Sequence, residues 1–214
     1  NSINMISGRG CYGRCDFCGA SGLLRRNYSA KYCVDLMELV IDRYSPEILE
    51  FQESLTLSTK KWVKGFCEEI ISRKLNILYS VWSRGDFNYD DETLSLLAES
   101  GCYIAHVGFE SGNNSVLKNM TKKITIDKYY KLVNDYRRHG INLGGSFILN
   151  MPGESEESLY DTVDFIDRSK VAFSFGFAFP YPGTKLYDYV RENSFGDSIE
   201  KMIFTKKNEY SYIN

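Results

Sequence analysis

Three cysteines fall within eight positions near the start of the chain, in the run Gly10-Cys11-Tyr12-Gly13-Arg14-Cys15-Asp16-Phe17-Cys18-Gly19-Ala20. Thiolates at this C-x3-C-x2-C spacing can wrap one compact inorganic object, and Gly10, Gly13 and Gly19 let the backbone turn tightly around it. On a four-iron cube, three protein thiolates would leave one iron open to a small molecule. Other readings stand beside this one. A structural zinc site closes with four ligands, and the chain's two histidines, His106 and His139, are both far from the motif in sequence. A redox-active pair at Cys15 and Cys18 leaves Cys11 unexplained. An electron-transfer cluster needs a fourth thiolate, for which Cys33 is the candidate. Cys33, however, recurs with Leu36, Met37 and Val40 at helical spacing, as a buried helix face does. Cys67 and Cys102 read as core.

Six β-like runs alternate with helix-like runs and must position this loop. The strand candidates are residues 3–7, 48–52, 77–82, 102–109, 143–149 and 171–179. The clearest helices are expected over 60–74, 91–100 (with Gly101 as a C-terminal cap), 126–139 (with Thr125 as N-cap) and 156–168 (with Ser155 before it). Parallel strands need crossover connections, which the helices supply. Six units are too few for a closed eight-fold barrel. The expected fold is therefore α/β, a partial (βα)6 TIM-like barrel on a parallel sheet, with a doubly wound open sheet as the alternative. In both, chemistry gathers at the carboxyl ends of the strands. The unusual residues do follow strands: the cysteine loop, Glu53-Ser54, Ser83-Arg84-Gly85-Asp86, Glu110-Ser111-Gly112, Met151-Pro152-Gly153-Glu154 and Pro180-Tyr181-Pro182-Gly183. In the sixth strand Phe173, Phe175, Phe177 and Phe179 alternate with Ser174, Gly176 and Ala178. The aromatic face is expected to pack under helices, and the small face to leave room for a bulky ligand.

With 214 residues, 43% of them hydrophobic, the chain can bury a real core, and its six cysteines are not distributed as in a small disulfide-stapled domain. A formal charge of −2 gives no electrostatic footprint for nucleic acid. No apolar run approaches the ~20 residues of a membrane span, and no signal-peptide layout is visible, so a soluble, cytoplasmic protein is expected. The start at Asn1 is what an excised domain would show.

The cysteine run is similar to the signature of the radical S-adenosylmethionine superfamily. Val107-Gly108-Phe109-Glu110-Ser111-Gly112, the stretch from Gly145 through Met151-Pro152-Gly153-Glu154-Ser155, and Pro180-Tyr181-Pro182-Gly183-Thr184 resemble the later strand motifs of its cobalamin-associated and methylthiotransferase-like branch. The resemblance runs from about Ile3 to Val190 and implies a catalytic domain over residues 1–193, with a C-terminal extension at 194–214. It implies that Cys11, Cys15 and Cys18 hold a 4Fe-4S cluster whose open iron chelates S-adenosylmethionine. Reduction of the sulfonium would then give a 5'-deoxyadenosyl radical, with the protein binding, orienting and shielding the cofactor.

The same resemblance suggests roles for single residues. Phe17 would lie against the adenine. Glu53 and Ser54 would contact the methionine amino group, although Phe51-Gln52-Glu53-Ser54 lacks the glycines common there. Arg84 would pair with the methionine carboxylate, and Glu110 and Ser111 would reach the ribose hydroxyls or that carboxylate. Asn150 stands where relatives often have Gly, which leaves the local backbone conformation open, and Asn tolerates positive φ better than most residues. His106 reads as a buried, hydrogen-bonded structural residue, with a substrate contact as the minority reading. The expected function is methylation or rearrangement of a small-molecule or natural-product substrate, fed by a reductant such as flavodoxin or ferredoxin. Any cobalamin would be bound by a domain outside this chain, since the D-x-H-x-x-G cobalamin signature is absent from it. Sulfur insertion of the methylthiotransferase type, or a non-catalytic iron-sulfur or zinc module, are the alternatives.

Overall fold

Along Ile48-Leu49-Glu50-Phe51 the odd-numbered side chains are fully buried and Glu50 faces the other way, the period-2 pattern of a strand with unlike faces. The computed structural model describes residues 1–193, and the extension expected at 194–214 lies outside the described residues. The elements run β1 (Ser2–Met5), β2 (Gly8–Arg9), β3 (Arg26–Asn27), α1 (Ala30–Tyr44), β4 (Ile48–Phe51), α2 (Lys60–Ser72), β5 (Leu78–Arg84) and α3 (Asp91–Glu99). They continue with β6 (Cys102–Glu110), α4 (Asn114–Asn119), α5 (Ile126–Arg138), β7 (Asn142–Leu149), α6 (Glu156–Ser169), β8 (Ala172–Phe177) and α7 (Lys185–Glu192).

The main sheet has the order β1-β4-β5-β6-β7-β8, every pair parallel. Strands therefore follow one another in space as they do in sequence. A doubly wound sheet would reverse its order at a switch point; this one does not, and it curls into a half-barrel with helices outside. No helix among the described residues is long and apolar enough to cross a membrane.

Local chemistry sets the helix ends. Ser29, Thr59, Asp90, Asn113, Ser155 and Thr184 each accept a backbone N–H in the first turn, satisfying donors that the helix cannot. Thr125 occupies the N-cap position of α5 but makes no such bond; Asn114 Oδ1 accepts from Ile126 N instead, at 3.0 Å. Gly101 leaves α3 with φ 101°, as its capping position requires.

The aromatic face of β8 departs from expectation. Phe173, Phe175 and Phe177 are 57%, 45% and 65% exposed, rather than packed under a helix. The cause is the strand's place at the sheet edge. The helix that follows, α7, buries Leu186 and Val190 against Val116, Met120 and Met151 instead. On the other face Ser174 and Gly176 pair in register with Ser146 and Ile148 of β7.

Under the middle of the sheet, Phe109 is fully buried, with ring centroids 4.8 Å from Tyr129, 5.3 Å from Phe165 and 5.8 Å from Phe147. It sits directly before Glu110, so this packing also fixes the end of β6. Phe109→Ala should lower unfolding free energy by about 3–5 kcal/mol in a urea titration. A loss under about 1 kcal/mol would show that the site's central strand does not depend on this cluster.

Candidate functional site

The cysteine loop leaves β2 and returns through β3, a two-residue antiparallel ribbon pairing Gly8 with Asn27 and Arg9 with Arg26. Backbone bonds from Cys11 N to Leu23 O (3.0 Å), Cys18 N to Cys15 O (3.2 Å) and Ser21 N to Cys18 O (2.9 Å) fold it tightly. Gly10 has φ 84°, a conformation that other residues adopt only with strain. Asp16 pins the loop from outside: its Oδ2 accepts from Thr121 Oγ1 at 2.6 Å, its carbonyl accepts from Leu186 N at 3.0 Å, and Lys185 Nζ stands 3.0 Å from its Oδ1.

Inside the loop the sulfurs share one neighbourhood. Arg84 Nη1 lies 3.9 Å from both Cys11 Sγ and Cys15 Sγ, and Gly13 N donates to Cys11 Sγ at 3.3 Å. Burial pushes the Cys18 thiol up; the nearby sulfurs of Cys15 and Cys11 and the Glu110 carboxylate act in the same direction, against a lowering bond from the Ala20 backbone. A Cβ on Gly13 would overlap the Arg84 guanidinium and touch Cys11 Sγ at 3.4 Å, so only glycine lets Arg84 reach the sulfurs. Among the described residues, no three His, Cys, Asp or Glu side chains converge on a single ion. Ligands that each hold a different corner of a polynuclear cluster have no need to converge on one point.

Beneath the loop is a cavity of about 540 Å³, within the range of small-ligand sites. Of the residues singled out in the sequence, Cys11, Cys15, Cys18, Phe17, Glu53, Ser54, Arg84 and Glu110 line it. Ser111 does not. Its Oγ is buried beneath α6, 3.3 Å from Thr162 Oγ1, and accepts from Asn113 N. Phe17 both lines the cavity and packs on the Met120 and Met151 cluster.

Two lining residues carry partners that narrow what they can do. Arg84 holds Asp86 with two bonds, 2.8 Å from Nε and 2.7 Å from Nη2, so its carboxylate-binding fork is already filled. The Glu53 carboxylate accepts from Ser7 N, Ser7 Oγ and Arg25 Nη1, at 2.9, 2.6 and 2.7 Å.

Glu110 is aimed by a bulge. The β6–β7 register slips between Gly108 and Glu110, and Glu110 takes φ 67°, a strained conformation for a residue with a Cβ. Its Oε1 meets Lys122 Nζ at 2.9 Å, both side chains being at most 10% exposed. Burial alone would lower the Lys122 pKa; the Glu110 carboxylate, with Tyr129 and Cys15 acting in the same direction, holds the ammonium above its ordinary range. Lys122 lines the cavity, and sequence reasoning missed it because it follows a short helix rather than a strand. Its only signal was the Thr121-Lys122-Lys123 run behind the Glu110 motif.

Further down the concave face, Trp82 and His106 place their rings 5.0 Å apart. His106 was expected buried and hydrogen-bonded. It is half-buried and makes no side-chain hydrogen bond among the described residues, and burial lowers its pKa. Asn150 adopts φ 64° and donates its N–H to Glu154 Oε2 at 2.6 Å.

The chain is 26% identical to an uncharacterised methyltransferase of Pyrococcus horikoshii over 89% of its own length and 42% of the relative's. It is also 26% identical to bacteriochlorophyllide d C-12(1)-methyltransferase of Chlorobaculum tepidum, over 99% of this chain and 46% of that one. The fold matches the radical S-adenosylmethionine methyltransferase TsrM from Kitasatospora setae, solved with cobalamin and a [4Fe-4S] cluster bound. There the TM-score is 0.78 at 23% identity, covering 89% of this chain and 36% of TsrM. The chain thus spans less than half the length of these relatives. The family model of the Radical SAM superfamily matches residues 5–166, from the last residue of β1, across the cysteine loop and the Glu110 bulge, into α6. By that match the chain belongs to the radical SAM superfamily.

Proposed function

We propose that Cys11, Cys15 and Cys18 hold a 4Fe-4S cluster with one open iron, and that the cavity beneath binds S-adenosylmethionine for modification of a small-molecule substrate. The observation that carries this reading is the juxtaposition of three neighbouring thiols with a cavity holding a buried carboxylate and a buried ammonium. When bound, the cluster supplies the single electron that cleaves the sulfonium and starts radical chemistry. The chain's residues bind, orient and exclude water. Glu110 and Lys122 offer opposite charges to the zwitterionic end of the ligand, and the strain at Glu110 is what brings its carboxylate there. Phe17 offers a face to the adenine, and Ser54, exposed at the rim, a hydroxyl. Arg84, with its fork on Asp86, turns its remaining nitrogen toward the sulfurs and offsets their negative charge. Glu53 and Ser111 serve through the framework: Glu53 secures the base of the loop, and Ser111 ties the end of β6 to α6.

Methylation or rearrangement is the outcome we favour over sulfur insertion. A second cluster would need ligands, and Cys33, Cys67 and Cys102 are buried in the core away from the cavity. Any cobalamin would be held by a part of the protein outside this chain. Six free cysteines and the need for a low-potential reductant favour the cytoplasm.

Cys15→Ala, assembled anaerobically with iron and sulfide, should lose the visible cluster absorbance and all 5'-deoxyadenosine formation while keeping the wild-type circular dichroism. A variant that still forms the cluster and cleaves S-adenosylmethionine would overturn the ligand assignment. Lys122→Ala should weaken S-adenosylmethionine binding by about 10- to 100-fold in calorimetry, because it removes a buried cation and leaves Glu110 unpaired. Lys122→Arg should restore most of the affinity. Unchanged affinity in Lys122→Ala would remove this residue from the site.

A further inference from the structure

Trp82 lines the same cavity as the three cysteines, but two residues before Arg84 on β5, and so about 7 Å deeper along the strand. The cavity thus runs from the sulfurs, where Arg84 reaches them, down to an aromatic wall. His106 backs that wall. It pairs in register with Trp82 across β5 and β6 and with Gly144 across β6 and β7, and its ring lies 5.0 Å from the Trp82 ring at an interplanar angle of 31°. A Cβ on Gly144 would stand 2.6 Å from His106 Nδ1, so glycine is what lets the imidazole occupy this place. An aromatic ring on one side and bare backbone on the other hold it in position before anything binds.

The fold makes no use of the imidazole nitrogens. His106 is half-buried, and neither nitrogen has a hydrogen-bond partner among the described residues, although a neutral imidazole carries one donor and one acceptor. Burial, the larger influence on its pKa, keeps the ring neutral at pH 7 against the opposing pull of Glu50 on β4. Above the pair, toward the carboxyl ends of the strands, Gly108 and Ser146 line the cavity with almost no bulk. Charge is scarce at this depth: Arg84 is held by Asp86, and Glu50 would repel an anion. An aromatic wall with a free donor and acceptor and little charge suits an uncharged planar ring with a polar edge, and disfavours a sugar, a polyphosphate or an acid.

We propose that Trp82 and His106 are the substrate-recognising wall of the cavity, and that the substrate presents to it an uncharged, planar conjugated ring with a hydrogen-bonding atom on its edge. Trp82 packs against the ring, and a nitrogen of His106 bonds the edge atom. The proposal rests on the reading of the cysteine end as the place of the cofactor, and names the class of substrate that the other end admits.

The full-length protein is titrated by equilibrium dialysis with carbostyril, a planar lactam, and with its decahydro derivative, which keeps the skeleton and the hydrogen-bonding edge but is neither planar nor conjugated. Wild type should bind the planar lactam about three- to tenfold more tightly. Trp82→Leu should abolish that preference. His106→Phe keeps a ring and loses the nitrogens; it should weaken both lactams about three- to tenfold and leave the preference in place. His106→Leu repeats the test with a smaller side chain beside Gly144. His139→Phe, at the end of α5, is the control and should match wild type, and every variant should keep the wild-type circular dichroism. A residue with a purely structural role would not separate loss of affinity from loss of preference. Equal binding of the two lactams by wild type, binding of neither, unchanged affinity in both His106 variants, or an equal loss in the control would overturn the proposal. The two readings fail separately, because the lactams need neither cluster nor S-adenosylmethionine. A protein that prefers the planar lactam through Trp82 but assembles no cluster refutes the cluster and keeps the wall. A protein that cleaves S-adenosylmethionine but binds both lactams alike refutes the wall alone.

Discussion

A buried ion pair between Arg25 and Glu53, with side chains 0% and 4% exposed, holds the reactive loop on its scaffold. Removing two charges from water is costly and is offset only when every remaining polar atom finds a partner. Here they do. Arg25 Nη2 donates to Ser7 Oγ at 2.9 Å, its Nε donates to Asn27 Oδ1 at 2.5 Å, and Asn27 passes the network on to Ser58 Oγ at 2.7 Å. Ser7 follows β1, Asn27 ends β3 and Glu53 follows β4, so one network joins the entry to the loop, its exit and the neighbouring strand. Without it, the loop between the ribbon strands would keep its own turns and the outside contacts of Asp16 but lose the anchor at its base. An ion pair also gives what an apolar contact would not: a defined geometry at the base of a loop whose sulfurs must face one another.

The second constraint is the positive φ of Glu110. A conformation of this kind costs about 1–3 kcal/mol and persists only where its surroundings enforce it. The enforcing contacts are visible on both sides: Phe109 is locked among aromatic rings, and Lys122 grips both the Glu110 carboxylate and the Gly108 carbonyl, the latter at 2.9 Å. The bulge shifts the register so that Glu110, still paired with Phe147, lines the cavity. Strain, aromatic packing and an ion pair thus act on one carboxylate.

The order of elements was legible because each strand and helix obeys its own period: Leu49 and Phe51 alternate with Glu50, and Val63, Phe66, Cys67 and Ile70 recur at helical spacing. The residues that follow strands found most of the cavity for the same reason, since a parallel sheet delivers its loops to one end. What stayed hidden depends on partners distant in sequence. Arg25 lies 28 residues from Glu53, and no local pattern announces that the two bury each other. Lys122 belongs to a helix-to-helix turn, outside the strand-end rule that found Glu110. The exposure of Phe173, Phe175 and Phe177 follows from an edge position, which alternation within a single strand does not reveal.

That edge bears on what the fold can admit. Closing a barrel of this kind takes about eight strands, and this sheet stops at six, with β1 and β8 at its two ends. Its concave face is therefore open along one side as well as at the top. The residues on that face near the edge are small, as at Ser174, Gly176 and Ser146, while Trp82 and His106 set their rings side by side on β5 and β6. A closed barrel would fill that space with its own side chains and admit ligands only at the mouth. A half-barrel trades that filled interior for lateral access, and the stability that a closed core would have given must come from the helix-side packing around Phe51, Phe66, Phe109 and Phe165. The division of labour follows from geometry: the outer face of each strand is built to be buried, and the inner face to be occupied.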